Sequence, residues 1–234
     1  MSNPYFQFKQ FTVWHDKCAM KVGTDGVLLG AWTDVSEAHT VLDIGTGTGL
    51  VALMLAQRCD ANIYALEIEA SAVLQAKENV DKSPWKNRIE VVAGDFTAFV
   101  SALKYDIIVS NPPYFIDSLL SPDDQRTAAR HAGGLSYEAL IKGVIAILSS
   151  QGVFSVILPT GTKKLMEEIA QENGLYTVRE TVVITRPGVN SKRTLLSFAF
   201  QEKEYVADSL LVELERHHYS SEYIILTKDY YLKM

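Results

Sequence analysis

The stretch Thr40-Val41-Leu42-Asp43-Ile44-Gly45-Thr46-Gly47-Thr48-Gly49 decides the fold. Val41, Leu42 and Ile44 predict a short buried strand, because apolar, largely β-branched residues run up to a turn signal. The glycines at 45, 47 and 49 allow a tight turn into a helix expected over Leu50–Arg58. Glycine is required where a ligand must approach the backbone closely. A strand, a glycine loop and a helix in that order open a doubly wound α/β fold. The loop departs from the dinucleotide-binding fingerprint: with glycines at 45 and 47, that pattern needs glycine or alanine where this chain has Leu50. Asp43, acidic and inside the strand, is a second departure.

Working towards the C-terminus, Asn62–Ile68 predicts a second strand ending at Glu67. An acid about 20 residues beyond a glycine loop can accept from both hydroxyls of a ribose. It can equally favour the start of the following helix, Ala70–Asp81, together with Glu69. Ile89–Ala93 predicts a third strand, followed by Asp95, placed to accept from an adenine amine with Phe96 or Ile68 flanking the ring. Asp95 also suits the N-cap of a helix over Phe96–Leu103. Tyr105–Val109 predicts a fourth strand and runs into Ser110-Asn111-Pro112-Pro113-Tyr114-Phe115. Two prolines cannot continue a strand ladder, and they bias Asn111 towards an extended conformation. The expected result is a stiff strand end carrying an amide, a carbonyl and an aromatic ring, suited to holding a planar nitrogen. Four strands thus end in polar signals at one sheet edge, where ligands bind in open α/β folds.

Beyond this core, residues 116–135 predict a long loop carrying Arg130 and His131. Loops of that length are usually functional or disordered. Arg130 is a candidate phosphate contact and His131 a bystander. Helices are expected over Tyr137–Leu148 and Lys163–Asn173, the second stopped by Gly174. Val153–Leu158, Tyr176–Thr185 and Leu195–Gln201 complete seven strands. The connection from Arg186 to Arg193 holds Arg186, Lys192 and Arg193 and no acid. With Lys163 and Lys164, disfavoured at a helix N-terminus, it forms a basic lip suited to an RNA backbone.

Upstream, residues 5–20 are aromatic and predict a cap over the sheet, folded as a hairpin. Thr24 or Asp25 can cap a helix whose apolar face is Val27, Leu28, Ala31 and Trp32. That helix start, with Lys21 beside it, can grip a zwitterionic ligand tail. The segment Ser220–Met234 is aromatic and apolar and is expected to dock against the rest.

The 234 residues, with 47% hydrophobic and 21% charged, suit one α/β domain: 1–39 as cap and first helix, 40–201 as core, 202–234 as extension. The net charge of −6 argues against a protein that coats nucleic acid non-specifically. Two cysteines are too few for a disulfide framework or a metal cluster, which points to a reducing cytoplasm and no metal. No run approaches the roughly 18 apolar residues of a membrane span, and the start lacks the pattern of a signal peptide.

The glycine loop led by Asp43 resembles that of S-adenosylmethionine enzymes, and Ser110–Phe115 resembles the signature of methyltransferases acting on amino groups. Lys21–Asp25 with Leu28–Trp32, then Ala129-Arg130-His131, then Leu226–Lys233 extend the likeness. Over nearly its whole length the chain resembles the bacterial tRNA1(Val) adenine-N6 methyltransferase family. That resemblance implies a seven-stranded, mostly parallel sheet whose last strand is antiparallel. It implies S-adenosylmethionine as donor and the N6 amine of the adenine beside the anticodon, position 37, as acceptor. Around the donor it implies Thr24, Asp25, Asp43, Gly45, Glu67, Asp95 and Asn111; Lys21, Gly47, Gly49, Ile68 and Phe96 join them from the reading above. Asn111, Pro112 and Tyr114 are the candidate catalytic residues. Pro113, Tyr114, Phe115, Arg130, Lys163, Lys164, Arg186, Lys192 and Arg193 are the candidate RNA contacts. The partner is then the anticodon stem-loop of tRNA, and the protein a monomer. The same corner could hold a glutamine amide of a protein or another RNA amine, and a binding module without catalysis is a third reading.

Overall fold

The computed structural model describes residues 3–18, 21–113, 135–202 and 204–233. At its centre is a sheet of eight strands: β3 (Thr40–Ile44), β4 (Asn62–Glu67), β5 (Ile89–Ala93), β6 (Tyr105–Ser110), β7 (Leu148–Pro159), β8 (Tyr176–Ile184), β9 (Arg193–Ala199) and β10 (Val206–Leu211). Their order across the sheet is β10-β8-β9-β7-β6-β3-β4-β5. Only β9 runs against its neighbours β7 and β8. Seven of these strands match the expected arrangement. The eighth, β10, corrects the expectation that the antiparallel strand is the last: it follows β9 and pairs parallel with β8. Five of its six residues are at least partly exposed. An edge strand buries too little apolar surface to declare itself by periodicity. It is fixed by tertiary contacts, with Trp32 Nε1 donating to Thr181 Oγ1 at 2.8 Å and Thr181 Oγ1 donating to Asp208.

Because the chain passes from β3 outward to β4 and β5, then returns to build β6 and β7 on the other side, the strand order reverses between β3 and β6. In open α/β sheets that reversal leaves a crevice at the carboxyl ends of the strands. The central strands are apolar on both faces (Val41, Leu42, Ile44, Ile108 and Val109 are buried), as a sheet covered on both sides requires.

Helices α1 (Thr24–Trp32), α2 (Leu50–Ala56) and α3 (Ala70–Asp81) cover one face, and α4 (Tyr137–Ile147) and α5 (Lys163–Glu172) the other. The helix expected after Asp95 is a single 3-10 turn, Phe96–Ala98. Gly174, with φ of +82°, ends α5 as expected.

Helix α1 differs from the amphipathic helix expected: every residue from Gly26 to Trp32 is buried. Gly26 and Gly30, one turn apart, let it lie against α2. A Cβ on Gly26 would stand 3.0 Å from Leu50 Cδ2, and one on Gly30 would stand 2.9 Å from Met54 Cβ. Arg58 closes its far end by donating through Nη1 to the carbonyls of Gly30, Ala31 and Thr33 at 2.7–3.0 Å.

The N-terminal aromatic block forms the expected hairpin, β1 (Tyr5–Gln7) with β2 (Thr12–Trp14). It packs on α3 instead of over the sheet: the Asn79 side chain accepts from Trp14 N and donates to the Trp14 and Thr48 carbonyls, each at 2.9 Å. After a small ribbon of β11 (Glu213–Glu215) and β12 (His218–Tyr219), helix α6 (Ser221–Thr227) leads into the docked tail. Tyr230 donates its hydroxyl to Met54 O at 3.0 Å, and Phe8 bridges to Tyr231.

Candidate active site

The sheet register sets the site. Ile44, the last residue of β3, lies opposite Ser110, the last residue of β6. Ser110 Oγ donates to Ile44 O at 3.0 Å and locks that pairing. Gly45 and Asn111 therefore leave adjacent strands at one level, on either side of the crevice between β3 and β6. Asn111 is half-buried, Pro112 buried and Pro113 exposed. Tyr114, Phe115, Arg130 and His131 lie outside the described residues.

On the β3 side, Gly45, Gly47 and Gly49 take φ of +71°, +57° and +82°. Side chains rarely adopt these values, and glycine does so without steric cost. A Cβ at Gly45 or Gly47 would meet nothing within 4 Å, so the loop presents bare backbone to open space. Gly49 faces inward instead, where a Cβ would touch Ala76 at 3.6 Å. Gly45 and Thr46 donate their amides to Leu66 O at 2.9 and 3.0 Å, anchoring the loop to the end of β4.

Two acids brace this loop. Asp43 is buried, and its Oδ2 accepts from Thr46 Oγ1 at 2.6 Å and from Ala52 N at 3.2 Å. It serves α2 as a cap that Gly49, the N-cap residue, has no side chain to provide. Its carboxylate lies behind the glycine loop, so among the residues expected around the donor Asp43 shapes that loop from within. Burial pushes this carboxyl up to about 7, against the hydrogen bonds from Thr46 and Ala52, with the nearby Glu67 charge adding to the rise. Glu67 holds the loop from the side. Its Oε2 accepts from Gly47 N at 2.8 Å and its Oε1 from the amides of Ile68 and Glu69 at 2.9 Å. The duty of capping α3 falls to Glu69, whose side chain accepts from Ser71 N and Ala72 N.

At the end of β5, Asp95 Oδ1 accepts from Thr97 N at 2.8 Å and caps the 3-10 turn. The carboxylate is exposed. Phe96 and Ile68, the alternatives expected to flank adenine, stand in different surroundings. Phe96 is buried among the helices of the opposite layer, so close that a Cβ on Gly143 would come within 2.5 Å of its ring. Ile68, by contrast, is 68% exposed beside Glu67.

At the start of α1 a further expectation is revised. Gly23 is the N-cap and no side chain caps the helix. Thr24 is exposed and Lys21 is exposed. Asp25 Oδ2 instead accepts from Arg193 Nε at 2.7 Å. The basic lip is correspondingly less basic than its sequence. Lys163 turns onto Glu180 at 2.6 Å, with Glu167 at 3.8 Å, and Arg186 pairs with Glu213 at 3.0 Å. Those acids lie on α5, β8 and β11, which explains lysines at a helix start without an outside partner. Lys164, 79% exposed, stands 3.7 Å from Glu168, and Lys192 is exposed. Sequence reading missed the Asp25–Arg193 pair and the Ser110 lock. Neither has a local signal, since one spans 168 positions and the other 66.

Among the described residues no group of three or more histidine, cysteine, aspartate or glutamate side chains could hold a metal, and no helix is long and apolar enough to cross a membrane. Residues 20–128 match the methyltransferase small domain family. Over the full length of both chains, the sequence is 59% identical to a tRNA1(Val) (adenine(37)-N6)-methyltransferase of Bacteroides fragilis and 58% identical to one of Bacteroides thetaiotaomicron. In three dimensions it resembles a predicted O-methyltransferase of Agrobacterium tumefaciens, with a TM-score of 0.68 at 21% identity, over 88% of this chain and 96% of that one.

Proposed function

The chain belongs to the tRNA1(Val) (adenine(37)-N6)-methyltransferase family, and from that premise we propose that it methylates the N6 amine of adenine 37 in tRNA1(Val), in the cytoplasm, with S-adenosylmethionine as donor. The observation that carries this reading is the register of Ile44 with Ser110. It sets a bare glycine loop and an Asn-Pro-Pro corner side by side at the strand-order reversal.

The donor fits the residues present. The backbone over Gly45 and Gly47 is open to a ligand. Glu67 Oε2 retains a lone pair beyond the one used by Gly47 N, because a carboxylate oxygen can accept twice. Glu67 is assigned to the ribose, Asp95 and Ile68 to the adenine of the donor, and Lys21, Thr24 and Asp25 to its amino-acid tail. Gly45, Gly47 and Gly49 shape the loop. When bound, S-adenosylmethionine supplies an electrophilic methyl group on a sulfonium.

The protein's own work is positional. An adenine amine is a poor nucleophile, since its lone pair is delocalised into the ring. The side-chain oxygen of Asn111 and the carbonyl of Pro112 accept its two hydrogens and favour a tetrahedral nitrogen, whose lone pair is then directed out of the base plane. Orientation and charge complementarity suffice, with no covalent intermediate on the protein. Pro113, Tyr114 and Phe115 are assigned to the everted base, and a stacked aromatic contributes about 1–3 kcal/mol. Lys164, Lys192 and Arg130 are assigned to the RNA backbone.

The test is Asn111→Ala with tRNA1(Val) transcript and S-adenosylmethionine, read by mass spectrometry of the digested RNA. Turnover should fall by about 10²–10³-fold, while donor binding by calorimetry is retained. Near-normal turnover would reject the assignment. Methyl incorporation into a protein fraction and not into RNA would replace the acceptor.

A further inference from the structure

Most cations of the lip are held by the protein's own acids: Lys163 by Glu180, Arg186 by Glu213 and Arg193 by Asp25. A second group of cations is not so held. The β1–β2 hairpin and Lys82, the C-cap of α3, line an open hollow of about 570 Å³, within the range of sites that take small molecules. Two of its nine lining residues, Lys9 and Lys82, are cations and none is acidic, although the chain as a whole carries a net charge of −6. Both lysines are exposed. Lys9 Nζ donates to Lys228 O at 2.6 Å, and the Lys82 ammonium stands 5.2 Å from the centre of the Trp14 ring. Among the described residues, then, neither charge is neutralised by a carboxylate. The hollow also has aromatic walls. Tyr5 and Trp14 pair across the two strands with ring centres 4.9 Å apart, both half-buried, and Gln7 and Gln10 offer amides beside them.

Flat rings, amides and ammonium groups in one place are complementary to a nucleotide. A base has a face to stack and edges that hydrogen-bond with an amide, and its phosphate attracts the cations. An acidic peptide would satisfy the lysines and leave the ring pair unused. We propose that this hollow is a second RNA site, which takes an unpaired nucleotide of the substrate RNA other than the one that is methylated; this rests on the function assigned above. A cation–π contact at an exposed site is weaker than base stacking, so an arriving base displaces the flexible Lys82 side chain from Trp14, and the ammonium stays with the phosphate. One buried side chain joins the hollow to the donor loop. Asn79 accepts from Trp14 N and donates to Thr48 O, both at 2.9 Å, and Thr48 lies between Gly47 and Gly49. RNA held at Trp14 is thereby anchored beside the loop that shapes the donor site. The nine lining residues include none of those assigned to the donor or to the reacting base, so the contact adds affinity and takes no part in the transfer.

The experiment measures binding of a full-length tRNA1(Val) transcript to the full chain by fluorescence anisotropy over a range of salt concentrations. Calorimetric titration with S-adenosylhomocysteine checks that each variant is folded. Lys9→Ala combined with Lys82→Ala should lower the slope of log affinity against log salt by about 1.4, for two contacts at about 0.7 each on a flexible strand. Trp14→Leu keeps the backbone bonds to Asn79 and loses the ring, so it should weaken RNA binding about tenfold. Trp14→Phe, which restores a flat ring, should recover most of that loss. All three should bind S-adenosylhomocysteine as tightly as the unaltered protein does. If Trp14→Leu loses donor binding, its ring is structural, and the slope of the double lysine variant, whose side chains are exposed, decides. An unaltered slope there, or equal RNA affinity of folded Trp14→Leu and Trp14→Phe, would overturn the second site while methylation by the unaltered protein leaves the functional assignment standing. An unaltered protein that neither binds nor methylates the RNA would overturn that assignment, and this site with it.

Discussion

Replacing Glu67 by glutamine separates a residue that merely braces a loop from one that also binds the donor. The carboxylate accepts three backbone amides, one on Oε2 and two on Oε1. Glutamine keeps the shape but offers one oxygen, and its NH₂ must face an amide. The less costly orientation keeps the oxygen towards Ile68 and Glu69 and turns the NH₂ towards Gly47. One charge-assisted hydrogen bond is then lost, and the two that survive become neutral. A hydrogen bond to a charged group contributes about 1.5–3 kcal/mol, so Glu67→Gln should cost about that much stability in thermal unfolding. If the free lone pair of Oε2 also receives a ribose hydroxyl, the NH₂ now in its place cannot, and donor affinity falls by a similar energy. That is roughly 10- to 150-fold in Kd at 25 °C. Calorimetric titration with S-adenosylhomocysteine reads the second effect independently of the first, and turnover at saturating donor should change far less than the donor KM. A variant destabilised as calculated but binding the donor with unaltered affinity would refute the ribose assignment and leave Glu67 as a brace alone.

Asp43 gives a pH signature. Its folded value, about 7, lies above the unfolded 3.8, so the folded state binds more protons between these limits. Its contribution to stability is therefore greatest below about pH 4 and is lost as pH rises towards 7. Asp43→Asn should flatten that part of the profile in denaturant titrations at pH 4.5 and 7.5, and an unchanged slope would show that the carboxyl titrates normally. Gly30→Ala drives a Cβ to 2.9 Å from Met54 Cβ and should destabilise by about 1–3 kcal/mol; a rise in Tm would mean the α1–α2 contact is looser than described. Lys192→Ala should reduce the salt dependence of RNA binding by a slope of about 0.7, as for one contact on a flexible strand. An unaltered slope would move the RNA path off this lip.

The glycine loop was legible because its chemistry is local: glycine at three alternate positions demands positive φ, and the structure has it at each. The same holds for β5 and α3, whose bounds agree with the periodicity. What the sequence concealed depends on distant partners. Lys163, Arg186 and Arg193 read as free cations because their acids stand 17, 27 and 168 positions away. Phe96 and Ile68 read as equal candidates to flank adenine because nothing near Phe96 announces that Gly143 leaves room for its ring in the core. Helix α6 was passed over although Ser220, which accepts from Tyr223 N, is an ordinary cap signal; the surrounding aromatics obscured it. Asn111 was placed by its prolines, but its level with Gly45 needed the register of β6.

The docking of Tyr230 and Tyr231 bears on how the molecule is made. Phe8 and Phe11 emerge early in synthesis and stack on each other, yet Tyr231 also stacks on Phe8, and Lys9 N donates to Tyr230 O at 2.8 Å. Until that segment has left the ribosome, the hairpin lacks the part of its cover that Tyr231 supplies, and α2 lacks the hydroxyl that holds Met54 O. A nascent chain of this protein therefore carries sticky aromatic surface through most of translation. Docking of Tyr230 and Tyr231 is therefore a late step in maturation, and Tyr230→Ala should lower the yield of folded protein.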